Sequence, residues 1–267
     1  MSTAAAVPSS GNKTEKGVKQ NMKLRICHLY PDVLNLYGDG GNIICMQQRL
    51  KWRGIDSEVT RVMIGDSLKL SEYDLMFIGG GQDFEQEVLL PDLQSGKDRE
   101  IRAAIEDGLT ALTICGGYQM LGQYYETYDG VRCDFVGALD LYTVGSQTRM
   151  IGNTVFHCTP DCGGSTVIGF ENHSGKTWLG STVAPLAKVE VGFGNNGEDK
   201  TEGAHYKNVF GSYSHGPMLP KNPAFCDHLL ETALTRRYGA VKLEPLDDRA
   251  EQTAHDNMFR RLTKHGA

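Results

Sequence analysis

Apolar residues recur along this chain in two textures. KLRICHLY (residues 23–30), YDLMFI (73–78) and LTALTI (109–114) are near-continuous apolar runs bounded by turn residues, as strands buried on both faces require. SEVTRVMI (57–64) alternates with a period of two, as a half-buried strand does. IICMQQRLKWRG (43–54) and DREIRAAIEDG (98–108) instead carry helical spacing, with Gly54 and Gly108 as stops. YQMLGQYY (118–125) predicts a further helix directly after Cys115 and its two glycines. The order β-α-β-β-α-β-α predicts an α/β fold with a mostly parallel central sheet flanked by helices. From Cys133 to Phe210 the texture shifts to short β-type pieces rich in glycine, and helical spacing returns in AFCDHLLETALTRRYG (224–239). Residues 1–21 are small, polar and lysine-dotted, which predicts a disordered tail before a domain spanning 22–240. Residues 241–267 are charged and predict a surface helix or tail.

Composition narrows the possible partners. The chain has 267 residues, a net charge of -6 and 40% hydrophobic content, enough for a large core but unsuited to electrostatic capture of nucleic acid or an anionic membrane. No apolar run approaches the roughly 20 residues that span a bilayer, and the N-terminal AAAV is too short for a secretory signal. Seven cysteines at irregular spacing fit free thiols in a reducing cytoplasm better than a disulfide framework.

In such a sheet, sites lie outside the carboxyl ends of the strands, where Gly79–Gly81 and Cys115 both fall. A cysteine between a buried strand and a helix is exposed by the turn, and the helix N-terminus favours its thiolate. The alternative is a buried core cysteine. The triple glycine of GGGQD brings backbone N–H groups within reach of a developing oxyanion, or is simply a tight connection. NVFGSYSHGPMLP places His215 at a rigid strand exit, where an imidazole can serve as base to a thiol. His28 reads as a core residue, and His157 and His205 sit in polar stretches without a partner signal. In HSGKT (173–177), Phe170 stands where a phosphate loop needs glycine. HCTPDC (157–162) lacks a second ligand pair, so no metal is expected.

With these pieces assembled, the sequence resembles the class I (triad) glutamine amidotransferases, in their cobyric-acid-synthase-like branch. ICGGYQMLG is similar to the family's elbow, YSHGPML to its histidine segment, and GFENHSGKT to the segment just upstream. YPDVLNLYGDGGN and GGGQDFEQ are more specific, and resemble the branch's glutaminase subunits that serve peptidoglycan amidation. The resemblance implies a flavodoxin-like fold and L-glutamine as substrate. Cys115 is then the nucleophile and His215 the base. Gly80, Gly81 and Gly116 form the oxyanion hole, Arg149 receives the α-carboxylate, Gln119 helps orient the substrate, and Asn172 and His173 line the pocket. It also implies a Mur-ligase-like partner in a heterodimer, bringing the ATP and magnesium that this chain lacks. That partner would amidate the D-glutamate of lipid II at the inner face of the bacterial membrane. Other readings are a different cysteine hydrolase of this fold, such as a γ-glutamyl hydrolase, or a catalytically silent module.

Three positions depart from the family pattern: Thr113, Tyr118 and Pro217. Pro217 stands where a glutamate usually orients the histidine, and Ser212 and Ser214 are poor substitutes. The expected source of the missing carboxylate is the partner subunit, in preference to an acid elsewhere in this chain.

Overall fold

The structure, a computed structural model, describes residues 22–81 and 83–264, with the backbone alone for 83–87. The expected N-terminal tail lies outside the described residues. The first half alternates strand and helix: β1 (Lys23–Leu29), α1 (Gly41–Trp52), β2 (Asp56–Val62), β3 (Leu75–Ile78), α2 (Asp83–Asp92), α3 (Asp98–Glu106), β4 (Thr110–Ile114) and the one-turn α4 (Gly116–Gln119). Short strands follow: β5 (Tyr124–Glu126), β6 (Arg132–Asp134), β7 (Leu141–Val144), β8 (Met150–Cys158), β9 (Thr166–His173), β10 (Lys176–Leu179), β11 (Ala187–Val191), β12 (Thr201–Glu202), β13 (Ala204–Tyr206) and β14 (Val209–Ser212). Helices α5 (Pro223–Tyr238) and α6 (Arg249–Lys264) close the chain. No helix among the described residues is long and apolar enough to cross a membrane.

The central sheet runs β13-β14-β4-β3-β1-β2, parallel throughout except for the β13 edge. Every residue of β3 and β4 is buried, which is why both read as unbroken apolar runs. The five parallel strands follow the flavodoxin-like order, in which the strand order reverses between β1 and β3. The carboxyl ends on either side of that reversal are where this architecture opens a site. The glycine-rich middle of the chain forms two further sheets, β10-β7-β5-β6 and β12-β11-β8-β9.

Two elements differ from the sequence reading. Helix α2, which contains Pro91, was not anticipated. The helix expected over residues 118–125 stops at Gln119, and Tyr124–Glu126 is a strand. The cause is close approach at Gly122, where a Cβ would stand 2.3 Å from Leu141 Cδ1. Only glycine fits there, and Gln123 N–H bonds Leu141 O at 2.8 Å, which turns the chain out of the helix and into the β7 sheet.

A buried acid braces the last parallel strand. Glu202 accepts from Ser212 Oγ at 2.6 Å and from the Tyr213 N–H at 2.9 Å, fixing the end of β14. Burial pushes its pKa from 4.5 to about 7, with the charge of Glu171 adding to the rise. The folded state therefore holds a proton that the unfolded chain has already released between these values. Its contribution to stability is complete below pH 4.5 and lost as pH rises through about 7, a change of about 3 kcal/mol. Glu202→Gln, which cannot titrate, should flatten the fall in unfolding free energy between pH 5 and pH 8. Denaturant melts that keep the wild-type slope would show that another group sets it.

Candidate active site

Four loops leave the carboxyl ends of β1, β3, β4 and β14 and meet at one point. After β4, Cys115 takes φ 48° and ψ -107°, a conformation that an L side chain adopts only where its surroundings force it. Backbone bonds hold it there: its N–H donates to Ser212 O at 2.8 Å, and its own carbonyl accepts from Gln119 N–H at 2.9 Å. The glycines that follow are a packing requirement as well as a turn signal. A Cβ on Gly117 would lie 2.6 Å from Gly79 O and 2.7 Å from Ile78 Cγ2, so α4 can start only if this position is bare.

His215 enters from β14, and its N–H bonds Phe170 O at 2.7 Å, tying the loop to β9. Its ring is fully buried, and Nδ1 lies 3.0 Å from Asp39 Oδ2. Burial alone would lower the imidazole pKa. Electrostatic interaction with Cys115, then the contacts with Asp39 and Cys115, reverse this and push it from 6.5 to about 10. A cysteine, a histidine and an aspartate placed in this way can act as nucleophile, base and orienting carboxylate.

Where the expectation was a carboxylate from a partner subunit, an acid of this chain already stands against His215: Asp39, in the glycine-flanked GDGG stretch after β1. It is fully buried, and the same Oδ2 also accepts from Gly80 N–H at 2.9 Å. Pro217, where the family pattern has its glutamate, packs on this loop instead. A Cβ on Gly41 would come within 2.4 Å of Pro217 Cγ. The loop is braced again where Leu219 N–H donates to Asn42 Oδ1 at 2.9 Å. Ser212 Oγ is committed to Glu202, and Ser214 Oγ lies against Gly169, so neither substitutes for the acid. A sequence signal was present: an acid between glycines at the carboxyl end of the first strand, where the fold places its sites.

The remaining expected residues divide. Gly80 does not serve an oxyanion hole, because its N–H already donates to Asp39. Gly116 N–H opens helix α4 beside the sulfur, in the first turn that has no carbonyl one turn back, and Gly81 is buried in the neighbouring loop. Arg149 is exposed and its Nε donates to Asn172 Oδ1, while Asn172 Nδ2 donates to the hydroxyl of Tyr37. Tyr37, which the sequence reading missed, sets its ring edge-on to His215 with centroids 5.1 Å apart. Gln119 Nε2 donates to Tyr213 Oη at 2.9 Å, facing the interior. His173 is buried: it stacks on Tyr213 at 3.6 Å, and its Nδ1 lies 2.8 Å from Gly175 O.

The other candidates have structural places. His28 is buried against Phe77, and burial, then the Arg61 charge, lowers its pKa to about 4. His157 Nε2 pairs with Glu190 at 2.6 Å. HSGKT turns between two strands, and its Lys176 pairs with Glu198 at 2.6 Å. In HCTPDC, burial raises Cys158 to about 12 and Cys162 to about 11, which keeps both as neutral thiols.

Comparisons with known proteins agree with this geometry. Residues 25–223 match the CobB/CobQ-like glutamine amidotransferase domain. The chain is 43% identical over 242 residues to the lipid II isoglutaminyl synthase (glutamine-hydrolyzing) subunit GatD of Staphylococcus aureus, covering 91% of this chain and 97% of that one. It is 41% identical to the Streptococcus pneumoniae subunit of the same name, covering 85% and 86%. Among solved structures, PurLQS from Thermotoga maritima overlays with a TM-score of 0.53 at 17% identity, over 80% of this chain and 99% of that one. The glutaminase domain of Trypanosoma brucei CTPS overlays with a TM-score of 0.52 at 11% identity, over 83% and 96%. At such identities these overlays show the shared fold.

Gly80 offers a direct test of the site's packing. A Cβ there would stand 2.3 Å from His215 Cε1 and 2.9 Å from Asp39 Oδ2. Gly80→Ala should therefore push the imidazole off its carboxylate, and a shift of this kind costs on the order of 10²-fold in rate. The imidazole pKa, followed by NMR, should fall from about 10 towards the ordinary 6.5. An unchanged titration would mean that His215 does not depend on this contact.

Proposed function

Because the chain belongs to the CobB/CobQ-like glutamine amidotransferase family, we propose that it releases ammonia from L-glutamine through a thioester on Cys115. The observation that carries this reading is the joining of Cys115, His215 and Asp39 at adjoining strand ends. The Cys115 sulfur attacks the side-chain carboxamide carbon while His215 takes the thiol proton, and the resulting oxyanion faces Gly116 N–H, with Gly81 as the second donor. His215 then returns the proton to the departing nitrogen, and ammonia leaves. A water molecule, deprotonated by the same imidazole, hydrolyses the thioester to glutamate and restores the thiol. Throughout the cycle Asp39 holds one tautomer and steadies the imidazolium. Arg149 receives the α-carboxylate of glutamine, since a planar guanidinium can hold both oxygens.

Ammonia needs an acceptor. The relatives named as subunits of lipid II isoglutaminyl synthase support a heterodimer with a Mur-ligase-like, ATP-using partner that amidates D-glutamate of the peptidoglycan stem peptide. On this reading the partner consumes the ammonia but does not complete the triad.

A glutamine analogue with an electrophilic carbonyl carbon at the γ position should add one label, at Cys115 among the seven cysteines. Cys115→Ser should abolish ammonia release with little change in melting temperature. Labels spread over several cysteines, or ammonia release surviving in the variant, would overturn the assignment.

A further inference from the structure

The reacting atoms are covered. His215 has no exposed surface and the Cys115 residue is 5% exposed, whereas Tyr37, lying over the imidazole, is 43% exposed. The tyrosine ring sits edge-on to His215 and, with centroids 5.8 Å apart, to Phe170. Its backbone holds φ 55° and ψ 20°, a left-handed conformation unfavourable for a residue with a side chain. What fixes it is a relay of side chains: Arg149 donates to Asn172, and Asn172 donates to the Tyr37 hydroxyl.

We propose that Tyr37 is a substrate-operated gate over Cys115, latched through Asn172 by Arg149 and released when a carboxylate takes the guanidinium. The proposal rests on the reading of Arg149 as the carboxylate site. The exposed ring can swing outward with little apolar surface to lose, and its strained backbone favours the change. A carboxylate is a stronger acceptor for a guanidinium than the neutral Asn172 amide. Once it engages Arg149, Asn172 loses the donor that orients it, and the Tyr37 hydroxyl loses its partner. The gate thus selects for substrates bearing an α-carboxylate as well as a carboxamide. The free chain pays for closure with a weaker apparent affinity, lowered by the fraction of open molecules.

The test uses iodoacetamide, a neutral thiol reagent without a carboxylate, and reads Cys115 alkylation by peptide mass spectrometry. Without glutamine present, Tyr37→Phe removes one hydrogen bond and should speed alkylation about fivefold, and Tyr37→Ala should speed it further. Arg149→Ala should also speed alkylation, while raising the KM for glutamine. Wild-type alkylation rates in both Tyr37 variants, with unchanged circular dichroism, would overturn the gate. A wild-type rate in Arg149→Ala would overturn the latch. Alkylation does not require turnover, so the gate is tested even if ammonia release fails.

Discussion

The Asp39 carboxylate has no exposed surface, and one of its oxygens accepts from both His215 Nδ1 and Gly80 N–H. The two donors on Oδ2 offset part of the cost of burying this carboxylate, while Oδ1 has no partner among the described residues, so the three loops that meet here must hold one another in register. Removing the side chain of residue 80 makes room for the imidazole. The bare Gly41 makes room for Pro217, which brings the histidine loop against the start of α1.

The fold supplies this meeting point through strand order. β1, β3, β4 and β14 are neighbours in a parallel sheet, so the ends that carry Asp39, Gly80, Cys115 and His215 lie side by side. Cys115 pays a backbone strain that the flanking bonds to Ser212 and Gln119 hold in place. The outer sheets reach the same point from the other side, through the Phe170 carbonyl that fixes His215. Arg149, just before β8, and Asn172, on β9, stand on that side too.

Cys115 and His215 could be read directly from the chain as candidates, because each follows an apolar strand and precedes glycine. Asp39 was harder to read, since its partner lies 176 residues away and flanking glycines do not by themselves mark an acid as buried. Looking for the acid at its usual place after the histidine led instead to Pro217, and so to a partner subunit. Gly80 misled for a related reason: a bare N–H suits an oxyanion or a carboxylate, and only the fold decides which. The elbow helix was read as too long because the obstacle at Gly122 is Leu141, a residue from a later strand.

The central claim is that this chain carries a complete triad without a second subunit. It is tested most directly by glutamine hydrolysis in the isolated chain, comparing wild type with Asp39→Asn. The variant keeps the shape of the side chain but withdraws the charge, and loss of an orienting carboxylate costs up to about 10⁴ in rate. The account predicts a drop approaching that size with the fold intact. Equal turnover by the two proteins would contradict it.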